Sequence, residues 1–168
     1  MEKTPWSVPV AVDDIPETGL HVEIEAPPAA REAVAKLASV RELPRLSAVF
    51  DVTRRGAGAH VSGRVDALVG QTCVVSLEPI ESKVEEGIAV TFAPWADAAA
   101  SGDEEPPEPL IGGTVDLGAI ATEFLLLAID PYPRKEGVQF AAPKPEEGGE
   151  RPFAALETLK KRLGGGKP

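Results

Sequence analysis

Residues 114–133 read TVDLGAIATEFLLLAIDPYP, and this stretch decides the fold. Its apolar residues recur at the spacing of one helical face; they are Leu117, Ile120, Ala121, Phe124, Leu125 and Ala128. Asp116 is placed to cap the helix, because its carboxylate can accept from the unpaired amides of the first turn. Pro131 and Pro133 end it, since proline lacks the amide hydrogen and clashes with the preceding turn. The pattern predicts a helix over 116–130 that is covered on several sides.

Strands are predicted ahead of this helix, where apolar and polar residues alternate. They cover residues 6–12, 20–25, 46–53, 60–69 and 84–92. A further helix is predicted from Pro28 to about Val40, because proline is favoured in the first helical turn. Strands gathered in the middle of the chain with helices attached indicate an α+β domain. We expect an antiparallel, partly barrel-like sheet packed by a central apolar helix, with flanking helices and polar linkers.

The length of 168 residues is typical of one domain with flexible ends. We expect that domain over residues 1–140, followed by a linker over 141–151 and a C-terminal amphipathic helix over 152–163. Residues 96–109 are acidic and rich in proline and alanine. Such a composition buries too little apolar surface to offset the entropy of ordering, so a mobile acidic loop is predicted there.

The net charge of −10 is unevenly distributed. Residues 31–64 carry a net charge of +4, whereas residues 65–130 carry −12. Affinity for phosphate rises with the number of cationic contacts, so an acidic chain is a poor non-specific nucleic-acid binder. Only a local basic patch could bind RNA.

Known catalytic, nucleotide-binding and metal-binding motifs are absent from the sequence. The single cysteine, Cys73, excludes an internal disulfide and a cysteine metal cluster. We expect it to be a buried, inert thiol on a strand, because no cation stands near it in sequence. No cofactor, no metal and no catalytic residue are predicted. The N-terminus lacks an apolar secretion signal, so a cytoplasmic location is expected.

Three stretches stand out by their order and spacing: QTCVVSLEPI at 71–80, IGGTVDLGAIATEFLLLAIDPYPRKEG at 111–137 and PFAALETLK at 152–160. Together they resemble the YceD family, over roughly residues 6–163. Many members carry CxxCLEP, whereas Ser76 takes the place of the second cysteine here. Cys73 alone cannot support the metal or redox role that two thiols would suggest.

The resemblance implies a factor that promotes accumulation of large-subunit ribosomal RNA. We expect a non-enzymatic protein that binds ribosomal RNA or large-subunit assembly proteins, with no membrane contact and no small-molecule substrate. An alternative is an acidic, chaperone-like interaction module that holds a basic ribosomal protein through residues 65–130. A small hydrolase with an unrecognised site is a third, weaker alternative.

Six charged residues are candidates for contacts with RNA or a protein partner. Arg54, Arg55 and Arg64 belong to the basic segment and would form an RNA patch, or else serve as solvated charges that balance an acidic protein. Glu78, Asp116 and Glu123 stand among apolar residues, where a charge must be paired or face solvent. For Asp116 the alternative is a capping role. Leu77 beside Glu78 is expected to pack in the core.

Overall fold

The structure is a computed structural model that describes residues 4–94, 106–140 and Leu156. The chain divides into two compact units, residues 1–138 and 139–168. The predicted linker over 141–151 lies outside the described residues, as does the predicted C-terminal helix over 152–163 apart from Leu156. Most of the predicted acidic loop lies outside them too.

Five strands of the first unit form one sheet in the order β2–β3–β4–β5–β6. They are β2 (Leu20–Glu25), β3 (Glu42–Arg55), β4 (Gly58–Thr72), β5 (Pro79–Pro94) and β6 (Glu108–Leu110). The first four pair antiparallel, but β6 runs parallel to β5. The sheet is therefore mixed, because the intervening connection is long enough for the chain to return in the same direction. Among the described strands β2 and β6 remain at opposite edges, so the sheet is open and the predicted barrel character is wrong there.

The hairpin of β3 and β4 is the longest regular feature of the fold. Arg55 pairs with Gly58, which leaves a two-residue turn in which Gly56 has a positive φ of 58°. Alternation along both strands turns one set of side chains toward the core. Phe50, Val52 and Val61 are fully buried as a result. The predicted strand periodicity is confirmed in this hairpin.

A second, small sheet joins the N-terminal segment to the start of the second helix. Strand β1 (Pro9–Ala11) pairs antiparallel with β7 (Thr114–Asp116). The Val8 carbonyl then accepts a hydrogen bond from the Leu117 amide at 2.9 Å. The N-terminal segment is therefore held to the start of this helix by backbone hydrogen bonds.

Two helices cover the core face of the main sheet. Helix α1 (Pro28–Leu37) packs against β3, and helix α2 (Leu117–Ala128) packs against β4 and β5. Leu125 is fully buried, but Leu127 is 78% exposed. The expected cover on several sides of α2 is therefore not found among the described residues. A central position for this helix is not confirmed, since α1 and α2 share the core. No helix among the described residues is long and apolar enough to cross a membrane.

Candidate functional site

Two turns that lie far apart in the sequence meet at one end of the main sheet. The first turn, residues 73–78, follows β4, and the second, residues 130–135, follows α2. The Val74 amide donates to the Pro133 carbonyl at 2.9 Å. Gln71 Nε2 donates to the Asp130 carbonyl at 2.8 Å. We call residues 73–78 and 130–135 the two-turn surface.

Cys73 lies at the junction of the two turns and is fully buried. It follows the last residue of β4, so the expectation that it lies on a strand is wrong. Its Sγ accepts from the backbone amides of Val75 and Ser76 at 3.4 Å and of Lys135 at 3.3 Å. Hydrogen bonds from Ser76, then from the Lys135 amide, lower the pKa of Cys73 to about 6. The predicted burial of the thiol is confirmed. Its inertness stays a prediction, and hydrogen bonds rather than cations favour the thiolate.

The first turn exposes an apolar side chain from an unusual backbone conformation. Leu77 has a positive φ of 60° and is 76% exposed, so its predicted place in the core is wrong. Hydrogen bonds close the turn, from the Leu77 amide to the Cys73 carbonyl and from the Cys73 amide to the Glu78 carbonyl. A left-handed conformation is unfavourable for leucine, and such strain concentrates at functional positions. The strain therefore marks the first turn as a candidate for function.

Two further apolar side chains are exposed on the same two turns. Tyr132, in the second turn, is 71% exposed, and Val74, in the first, is 45% exposed. With Leu77 they form the apolar part of the two-turn surface. Exposed apolar groups brought together in this way are typical of interaction sites rather than of an inert surface.

An ion pair joins the two turns at the solvent side. Lys135 Nζ lies 2.8 Å from Glu78 Oε2. The Lys135 ammonium lowers the pKa of Glu78, and the Glu78 carboxylate raises the pKa of Lys135. Glu78, a candidate contact residue from the sequence, therefore lies on the two-turn surface and helps to hold its halves together.

The three candidate arginines are not brought together. Arg54 and Arg55 are consecutive strand residues, so their side chains leave opposite faces of the sheet. Arg54 reaches Asp13 at 3.1 Å. Arg64 pairs with Asp66 at 3.1 Å and lies several residues further along the hairpin. The three arginines are therefore close in sequence but do not form one patch in the fold.

The Asp116 carboxylate accepts its hydrogen bonds from groups within the protein. Its Oδ1 accepts from the amides of Ala119 and Val8 at 3.1 and 2.8 Å, and its Oδ2 accepts from Ser7 Oγ. The capping role predicted for it is confirmed. Glu123, by contrast, is exposed on α2, at the border between two surface grooves.

Sequence reasoning did not single out Tyr132, Lys135 or the exposure of Leu77. The sequence feature that could have identified them is that LEP and DPYP are the strongest parts of the resemblance. The fold places these two motifs against each other. Within residues 4–94 and 106–140, no group of three or more His, Cys, Asp and Glu side chains is arranged to hold a metal ion.

Comparison with protein families gives a match over residues 61–160 to the family described as Large ribosomal RNA subunit accumulation protein YceD. The matched part of the chain includes both turns of the two-turn surface and the whole of α2. Comparisons with curated proteins and with solved structures give no match.

Proposed function

The chain belongs to the YceD family, and from this membership we propose that it supports the accumulation of large-subunit ribosomal RNA by binding, without catalysis, in the cytoplasm. The family description connects the chain to large-subunit ribosomal RNA. The two-turn surface is the proposed place of binding. The observation that carries this assignment is Leu77, an exposed leucine in a left-handed conformation.

The composition of the surface favours a protein as the direct partner. Leu77, Val74 and Tyr132 offer aliphatic and aromatic area, which is what the buried centres of protein interfaces use. The charges beside them are of both signs, since Lys135 is paired with Glu78. Strong RNA binding requires several cations directed at phosphates. We therefore propose that a large-subunit assembly protein is bound directly and that ribosomal RNA is reached through it.

The test uses cells depleted of the protein and complemented with variants. The double variant Leu77→Ser/Tyr132→Ser removes the apolar area from two exposed positions, so its free energy of unfolding should stay within about 0.5 kcal/mol of the original. Large-subunit ribosomal RNA should nevertheless not be restored. The matched control is Phe140→Ser, since Phe140 is as exposed as Leu77 at 76%. This control should restore the RNA fully.

Affinity purification from the same cells separates the two kinds of partner. Treatment with ribonuclease should leave the assembly protein bound to the original chain, and the double variant should lose that protein. Loss of every partner on ribonuclease treatment would instead identify RNA as the direct contact. Full restoration of ribosomal RNA by the double variant would overturn the proposed role of this surface.

A further inference from the structure

A groove of about 360 Å³ runs between helix α2 and the β5–β6 edge of the sheet. It is separate from the two-turn surface, because none of its described lining residues belongs to either turn. Phe92 on β5 and Phe124 on α2 are partly buried against the core and form its floor. The groove is therefore apolar at its base.

Large aliphatic side chains stand exposed on both walls of the groove. Leu127, on the α2 wall, is 78% exposed, and Ile111, beside β6, is 76% exposed. Exposed aliphatic groups on both walls beside an aromatic floor provide contacts for apolar side chains that repeat along one face of a helix. The shape therefore suits an amphipathic helix laid along α2.

The charge of the groove determines which helix fits. Its described lining residues include the carboxylates of Glu108, Asp116 and Glu123 and no basic side chain. Asp116 is satisfied by hydrogen bonds from Ser7, Val8 and Ala119. Glu108 and Glu123 are exposed, one on each wall, and neither forms an ion pair with another described residue. Nucleic acid is repelled by such a rim, whereas lysine and arginine are attracted to it.

We propose that this groove binds a basic amphipathic helix of a partner protein. The apolar side chains of that helix enter between Leu127 and Ile111, and its lysines or arginines lie against Glu108 and Glu123. This arrangement assigns specific residues to the alternative function, in which an acidic module holds a basic protein. It does not depend on the two-turn surface.

The experiment measures binding of a labelled synthetic helix, with leucine on one face and lysine on the other, to the full-length protein by fluorescence anisotropy. Glu108→Gln/Glu123→Gln should weaken binding about two- to thirtyfold, as expected for two exposed ion pairs, and reduce its salt dependence. The matched control is Glu25→Gln/Glu85→Gln, which removes the same charge from the sheet face away from the helices. This control should bind the peptide as the original protein does.

Two further changes test the apolar part of the groove. Leu127→Ser should weaken binding about tenfold or more, because an exposed anchor is lost without disturbing the core. A second peptide with glutamate in place of lysine should not bind. Equal binding of both peptides, or unchanged binding by Leu127→Ser, would overturn the proposal.

Other occupants give different results in the same system. A dimer of the original protein that Leu127→Ser converts to a monomer in analytical ultracentrifugation would assign the groove to a second copy of the chain. A chain ending at residue 150 that binds the lysine peptide at least tenfold more tightly would assign the groove to the chain's own C-terminal segment. Either result would overturn a partner helix as the occupant.

Discussion

The β3–β4 hairpin and the two-turn surface use apolar residues in opposite ways. In the hairpin Phe50 and Val61 are fully buried, whereas in the two turns Leu77 and Tyr132 are more than 70% exposed. The hairpin follows strand alternation, so the apolar side chains on one of its faces reach the core. In the two turns the backbone bends so that apolar groups face solvent, with strain at Leu77. The comparison separates residues that stabilise the fold from residues available for binding.

The largest expected effect comes from the hairpin. Phe50→Ala should lower the free energy of unfolding by about 3–5 kcal/mol, because Phe50 is fully buried and its removal leaves a cavity. Tyr132→Ala should change it by no more than about 0.5 kcal/mol. Chemical denaturation of both variants measures the difference. Similar losses at the two positions would show that the two-turn surface is part of the core and would remove the contrast.

An effect of intermediate size is expected where the turn is strained. Leu77→Gly should raise the free energy of unfolding by about 0.5–1 kcal/mol, since glycine adopts a positive φ without the cost that leucine incurs. The same variant should fail to restore ribosomal RNA in depleted cells, because the exposed side chain is gone. A variant that is more stable but less functional would show that the strain at Leu77 serves binding.

Ser39 supplies the matched control for that variant. It also has a positive φ, of 55°, and it is exposed just after α1, in a segment that belongs to neither of the two turns. Ser39→Gly should give a comparable gain in the free energy of unfolding and restore ribosomal RNA fully. If Leu77→Gly also restores it, the strain at Leu77 is structural and unrelated to partner binding.

The regular parts of this fold follow from local sequence patterns. The alternation around Phe50 places the β3 strand, and Asp116 with the apolar spacing after it places α2 within two residues of its observed ends. These features depend on residues close together in the chain. The parallel pairing of β6 was not predicted, because neither its short length nor its sequence specifies a partner strand.

The candidate site could not be predicted to the same extent, because long-range contacts create it. CVVSLEP is largely apolar and resembles a continuing strand, but hydrogen bonds from Leu77 to Cys73 and from Cys73 to Glu78 turn the chain there. The bond from the Val74 amide to the Pro133 carbonyl then joins this turn to the second one. Strand geometry has the opposite effect on Arg54, Arg55 and Arg64, because it separates side chains that are close in sequence. The resemblance drew attention to both motif stretches, but no pattern in the sequence indicated that they touch.

The titration of Cys73 tests whether the two turns stay in contact. Hydrogen bonds from Ser76 and the Lys135 amide lower the pKa of Cys73 from 9.0 to about 6. Because the folded pKa lies below the unfolded one, thiolate formation stabilises the fold fully above pH 9. This contribution declines as the pH falls and is lost below about pH 6. The ultraviolet absorbance of the thiolate should therefore rise around pH 6 in the folded protein and near pH 9 in denaturant.

Two substitutions assign that titration to the junction of the turns. Cys73→Ala should abolish the absorbance step, which identifies its source. Ser76→Ala should move the step upward, toward 9.0, because the Ser76 side chain makes the largest contribution to the lowered pKa. The step should stay below 9.0 in this variant, since the Lys135 amide still donates to Sγ from the second turn. A step near pH 9 in the original folded protein would mean that the amides do not surround the sulfur, and that the second turn does not pack on the first as described.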